Sequence, residues 1–73
     1  MYHKEESFKM INTLFHFNLP HEIANKILFK VFLNENKIEY KEVTDYDIEI
    51  STNDTDKYTI ACDKYFKLKI EGA

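Results

Sequence analysis

The chain has a single cysteine, Cys62, so no internal disulfide can brace it and the fold must rest on non-covalent burial alone. At 73 residues there is room for one domain, taken as 1–73. A domain this small buries only about 60% of the surface its unfolded chain exposes. Six Phe and five Tyr, within an apolar fraction of 44%, supply enough large side chains for a thin core. Disordered chains are poor in both classes, so this one is expected to fold. A pocket of the usual few hundred Å³ would consume much of that core. Function is therefore expected on the surface, completed by a partner.

Along the chain, Phe8, Ile11 and Phe15 recur at helical spacing with Leu14 beside them, and Glu5 and Glu6 suit a first helical turn. This predicts a helix over His3–His16. Asn18 and Pro20 then mark a stop and a restart. Ile23, Ile27 and Val31 recur every fourth residue, flanked by Ala24, Leu28 and Phe32, which predicts a second and more deeply buried helix ending near Asn34-Glu35-Asn36. Beyond Asn36 the apolar period reads as two. Ile38 and Tyr40, Ile48 and Ile50, Tyr58, Ile60 and Cys62, and Phe66, Leu68 and Ile70 each alternate with other residues, and turn-forming residues separate them. Connections this short join antiparallel neighbours. The expected fold is α+β, ααββββ: two N-terminal helices on one face of a four-stranded antiparallel meander, a two-layer sandwich.

The formal net charge is −3, and all ten basic residues are lysine. Arginine supplies the bidentate guanine contact and the commonest minor-groove contact, so an acidic chain without it argues against nucleic acid as a partner. Lys37, Lys41, Lys67 and Lys69 with Tyr65 would be the residues for that role. The most apolar stretch, Ile23 to Leu33, is interrupted by Asn25, Lys26 and Lys30, so no membrane span is expected. Residues 1–9 lack the pattern of a signal peptide. With the lone thiol, this makes the cytoplasm, or a host cell's cytoplasm, the expected compartment. Abundant Lys, Asn, Ile, Tyr and Phe beside scarce Gly, Ala, Pro and Arg are the mark of an AT-rich coding sequence, as in many phages and viruses.

Chemistry-bearing motifs are sparse. The only glycine is Gly72, so no glycine-rich phosphate loop exists. Ser7 and Ser51 sit in no nucleophile elbow. Cys62 falls on the inward side of its expected strand, a structural position. His3, His16 and His21 lack zinc-ligand spacing, and neither Asp45-x-Asp47-x-Glu49 nor Asn53-Asp54-Thr55-Asp56 has the glycine and distal glutamate of a calcium loop. No cofactor, no metal and no enzymatic activity are expected.

One segment resembles a known family. Leu19-Pro20-His21-Glu22-Ile23, followed by Ile27 and Leu28, is similar to the opening of an F-box, which reads Leu-Pro-x-Glu-(Leu/Ile) before a helix. The resemblance implies that this segment would dock a ubiquitin-ligase adaptor. It covers residues 19–28 alone, and the chain departs from the family by turning to strand periodicity after residue 36. The same residues also make an ordinary helix start, so membership is not inferred.

Two groups remain as a binding surface. On a strand, Asp45, Asp47 and Glu49 share one face. Tyr46 and Tyr65 fall out of phase with the inward residues, and Tyr is favoured at interfaces. With Lys67, these residues (Asp45, Tyr46, Asp47, Glu49, Tyr65 and Lys67) are the expected contacts on the outer sheet face. The expected function is non-catalytic protein–protein interaction with an unidentified protein, in the manner of small phage or viral inhibitors and regulators. A homodimer, formed by edge pairing or by burial of an apolar patch, is the alternative.

Overall fold

The computed structural model describes residues 10–71. Its elements run β1 (Ile11–His16), α1 (Ile23–Glu35), β2 (Lys41–Glu42), β3 (Asp47–Thr52) and α2 (Thr55–Glu71). Among the described residues the order βαββα replaces the expected ααββββ, with three antiparallel strands instead of four.

The first correction is β1. Residues 3–9 of the expected first helix lie outside the described residues, and Ile11–His16 is a strand. Strand alternation turns Ile11, Thr13 and Phe15 inward, Phe17 continuing on the same side, and Asn12, Leu14 and His16 outward. The helical reading needed Leu14 on the apolar side, but that residue faces solvent. β-branched Ile11 and Thr13 favour the strand. Its partner β3 supplies the matching inward pair, Ile48 and Ile50, both fully buried. The register sets Phe15 opposite Ile48 and Thr13 opposite Ile50.

The chain then turns through a cis Leu19–Pro20 bond. The Asn18 amide donates to the Glu22 carboxylate (2.7 Å), and α1 follows. This helix matches the expected second helix in extent, but not in orientation. Its buried residues are Lys26, Phe29 and Leu33, and the expected inward residues Ile23, Ile27 and Val31 are exposed. It ends with a left-handed residue, Lys37 (φ 57°). The Lys37 amide donates to the Asn34 carbonyl and the Ile38 amide to the Leu33 carbonyl, a Schellman closure whose apolar partners, Leu33 and Ile38, are both buried. Ile38, expected in a strand, is thus the hydrophobic clasp behind α1, and β2 is confined to two residues after it.

The sheet order is β1-β3-β2, with β3 central. β2 and β3 form a hairpin in which Lys41 pairs with Glu49 and Glu42 with Ile48. The second correction is α2. The expected hairpin loop at 52–56 is a helix start, and the two expected strands after it are one helix. The Asp54 carboxylate accepts the Asp56 and Lys57 amides (3.0 and 3.2 Å), the work of an N-cap. Tyr58, Ala61, Tyr65 and Leu68 then recur at helical spacing, with Ala61 and Leu68 buried. Ile60, Phe66 and Ile70, placed inward by the strand reading, are exposed.

Both helices lie against the face of the sheet that carries Phe15, Ile48 and Ile50. Phe29 of α1 and Tyr65 of α2 meet Phe15 with ring centroids 5.2 and 5.0 Å apart, and each also meets Phe17. This aromatic cluster is the centre of the core. Among the described residues the result is a two-layer α+β unit with one sheet face left open.

Candidate binding surface

The open face is built by alternation. β1 contributes Asn12, Leu14 and His16, and β3 contributes Asp47, Glu49 and Ser51. The register places Asn12 beside Ser51, Leu14 beside Glu49, and His16 beside Asp47. Ser51 donates a hydrogen bond to the Asn12 amide oxygen. On the far side of Glu49 stands Lys41 of β2.

Two apolar side chains stand out on this polar ground. Leu14 is 58% exposed and Tyr46, in the β2–β3 turn, 47%. The Tyr46 ring stacks on the His16 imidazole, with centroids 6.2 Å apart and 27° between planes. His16 in turn is fixed at both nitrogens. Nδ1 lies 2.8 Å from Asp47 Oδ1, and Nε2 lies 3.1 Å from Asn18 Oδ1. Oxygen neighbours on both sides favour the doubly protonated ring, so Asp47 first and Asn18 second raise the His16 pKa above its ordinary value. The bond from His16, followed by the one from the Thr44 hydroxyl (2.8 Å), holds the Asp47 carboxyl below its ordinary range.

The expected contacts divide on the structure. Tyr46, Asp47 and Glu49 are on or beside the open face. Asp45 is exposed in the same turn, and its carbonyl accepts from the Lys26 ammonium (2.6 Å). Tyr65 and Lys67 are not on the sheet, because their segment is helical. Tyr65 packs against Phe15, Phe17 and Phe29 and donates its hydroxyl to the His16 carbonyl (2.9 Å). Lys67 is exposed on α2. The expected acidic stripe is offset where it stands: Asp47 pairs with His16, and Glu49 has Lys41 across the ladder. Sequence reasoning misses Leu14 and His16, and assigns Lys41 to a nucleic-acid role. The signal for the first two was the alternation of Ile11, Thr13, Phe15 and Phe17, which fits a strand as well as Phe8, Ile11 and Phe15 fit a helix.

The Thr44 hydroxyl bonds the Asp47 carboxylate and not the His16 imidazole. Cys62 lies on α2, packed against the core. Among the described residues, no group of three or more His, Cys, Asp or Glu side chains is placed to hold a metal ion. Nor is any helix long and apolar enough to cross a membrane. Comparison of the chain with protein-family models, with curated proteins and with solved structures finds no match.

Proposed function

We propose that this chain is a non-catalytic protein-interaction module that meets its partner with the outer face of the sheet. The observation that carries this reading is the one-sided placement of the helices. Both cover the same face, and the opposite one is left with Leu14 and Tyr46 exposed amid groups that already satisfy one another. Such a surface suits a protein partner. Leu14 and the Tyr46 ring offer contact area at low entropic cost, and Asn12, Ser51, Glu49 and Lys41 offer a polar rim. The recognition is mixed in character rather than a long-range acidic attraction, because His16 and Lys41 offset the carboxylates. A domain this small would act by occluding or bridging a larger protein.

The test uses the full chain, tagged and expressed in its native host, with nuclease treatment before capture. The double variant Leu14→Glu, Tyr46→Ala is run beside it. Both positions are exposed, so far-UV circular dichroism of the variant is expected to match the parent. A protein retained by the parent and lost by the variant supports the surface. A partner retained equally by both moves the function to another face.

A further inference from the structure

Helix α1 is apolar on a side that nothing in the described domain covers. Its sheet-facing side is taken by Lys26, Phe29 and Leu33. The side toward α2 is taken by Asn25, whose amide donates to the Leu68 carbonyl (3.2 Å), and by Phe32, which has the Lys64 ammonium over its ring. What is left is Ile23, Ala24, Ile27, Leu28 and Val31. The four large side chains among them are 52%, 54%, 51% and 46% exposed, in the order Ile23, Ile27, Leu28, Val31. Isolated exposed aliphatics are ordinary, but here they are contiguous over more than two helical turns with no charged residue among them. This is also the stripe that periodicity alone places in a core. The sequence is patterned for burial of this flank, and the described residues do not bury it.

We infer that a second copy of this chain covers it, the two α1 helices packing antiparallel about a two-fold axis that passes between Ile27 and Leu28. Three observations favour a copy over an unrelated partner. First, Ala24, Ile27 and Val31 follow the spacing of a helix–helix seam with Ile23 and Leu28 beside them, and the antiparallel arrangement sets Ala24 against the partner's Val31. Small therefore meets large at both ends of the seam, which lets facing side chains interdigitate. Second, the charges complement one another. The flank itself carries none, Lys26 and Lys30 being drawn away to Glu42. The same arrangement brings Glu35 beside the positive N-terminal end of the partner's α1, near the partner's His21. Third, the area fits a modest dimer. The exposed parts of the four large side chains amount to on the order of 350 Å² per copy, and with Ala24, Asn34 and Glu35 at the rim the pair reaches the lower end of specific interfaces, roughly 1,000 Å² in all. The dimer is accordingly weak, with a dissociation constant on the order of 100 µM. It uses the helical layer and leaves both outer sheet faces open, so it goes beyond the proposed function and does not depend on it.

Sedimentation velocity and light scattering of the full chain, from about 5 to 500 µM, test the inference. The expected result is a mass that rises from the monomer's 8.8 kDa toward twice that value across the series. Ile27→Lys places a charge at the two-fold axis and is expected to weaken association by at least roughly tenfold, with circular dichroism unchanged because the site is exposed in the monomer. Phe66→Lys alters another exposed apolar residue, on α2, and is expected to dimerise as the parent does. The Leu14→Glu, Tyr46→Ala variant is also expected to dimerise, which separates this inference from the sheet-face reading. A parent that stays monomeric at 500 µM overturns the inference. So does a dimer indifferent to Ile27→Lys, or a monomer whose Ile27→Lys variant loses a different protein, which would make that protein the occupant.

Discussion

Lys26 is the only polar or charged residue that folding buries among the described residues, and its surroundings explain how. Its ammonium donates to the Asp45 carbonyl at 2.6 Å and lies 3.1 Å from a Glu42 carboxylate oxygen, so its charge is met by two acceptors at the edge of the core. Lys30 shares the same carboxylate at 2.9 Å. The bond from Lys30 first, and that from Lys26 second, hold Glu42 below its ordinary pKa. These two lysines fasten α1 to the β2–β3 hairpin, and they do so from the side that a periodicity argument assigns to Ile23, Ile27 and Val31. The sequence could not show this, because a lysine interrupting an apolar stretch reads as solvated and the aliphatic stem that lets it line a core is invisible in a residue-type pattern. Lys26→Ala removes the stem and leaves the Asp45 carbonyl without its charged donor, so a loss of about 2 kcal/mol is expected in urea unfolding. Lys26→Met restores the stem and should recover part of it. A loss below about 0.5 kcal/mol for the alanine variant would mean that Lys30 alone holds the hairpin.

At the scale of elements, α1 and β3 were legible and β1 and α2 were not. The reason lies in residues that satisfy both periods. In the last third of the chain, Tyr58, Ile60 and Cys62 alternate, yet Tyr58, Ala61, Tyr65 and Leu68 also recur at helical spacing. Pattern alone does not choose between them. The deciding signal is local: Thr52-Asn53-Asp54-Thr55 contains an N-cap, and the absence of glycine there fits a helix start better than a tight hairpin. The Asp54 carboxylate accepts two amides of the first turn, and the Thr52 hydroxyl accepts the Asp54 amide (3.0 Å), so the junction from β3 to α2 is held by side chains from both ends. Asp54→Ala is therefore expected to cost about 1 kcal/mol, and Asp54→Asn much less, because an amide oxygen caps nearly as well. Chemical denaturation of the two variants side by side checks this. Equal losses would place the effect in charge rather than in capping. The candidate surface suffered from the same ambiguity. Once the last third is helical, Tyr65 packs against the core and Lys67 leaves the sheet, whereas β3 and the turn before it lie where the sequence places them and keep Tyr46, Asp47 and Glu49 together.

For the whole molecule, ion pairs tie together elements distant in sequence, and their titrations set a common pH window. Glu22 holds Lys69 of α2 (2.7 Å), Glu42 holds Lys26 and Lys30, and Asp47 of β3 holds His16 of β1. The three carboxyls all have lowered pKa values: Glu22 chiefly through the Asn18 amide and then Lys69, Glu42 through Lys30 and Lys26, Asp47 through His16 and Thr44. A carboxyl lowered on folding stabilises the native state above its unfolded pKa, and that contribution is lost as pH falls through the folded value. His16 is raised, so its contribution is full below about 6.5 and is lost as pH rises through the folded value. The two signs overlap between about pH 4.5 and 6.5, where all three carboxyls are ionised and the imidazole is charged. Stability measured by urea unfolding is expected to peak in that interval, to fall below about pH 4, and to decline slightly from pH 6.5 to 8. The decline above 6.5 belongs to His16 and should disappear in His16→Gln, whereas the acid limb should persist in that variant through Glu22 and Glu42. These groups are largely solvent-screened, so the changes are small fractions of the total stability. The peak also overlaps the sequence pI of about 5.5, where net repulsion between molecules is least. The measurements therefore belong at low micromolar concentration, where the expected α1 dimer is dissociated and its own stabilising contribution does not enter the curve. A stability profile flat from pH 5 to 8 in both proteins would show that the His16–Asp47 pair positions the open face without stabilising it.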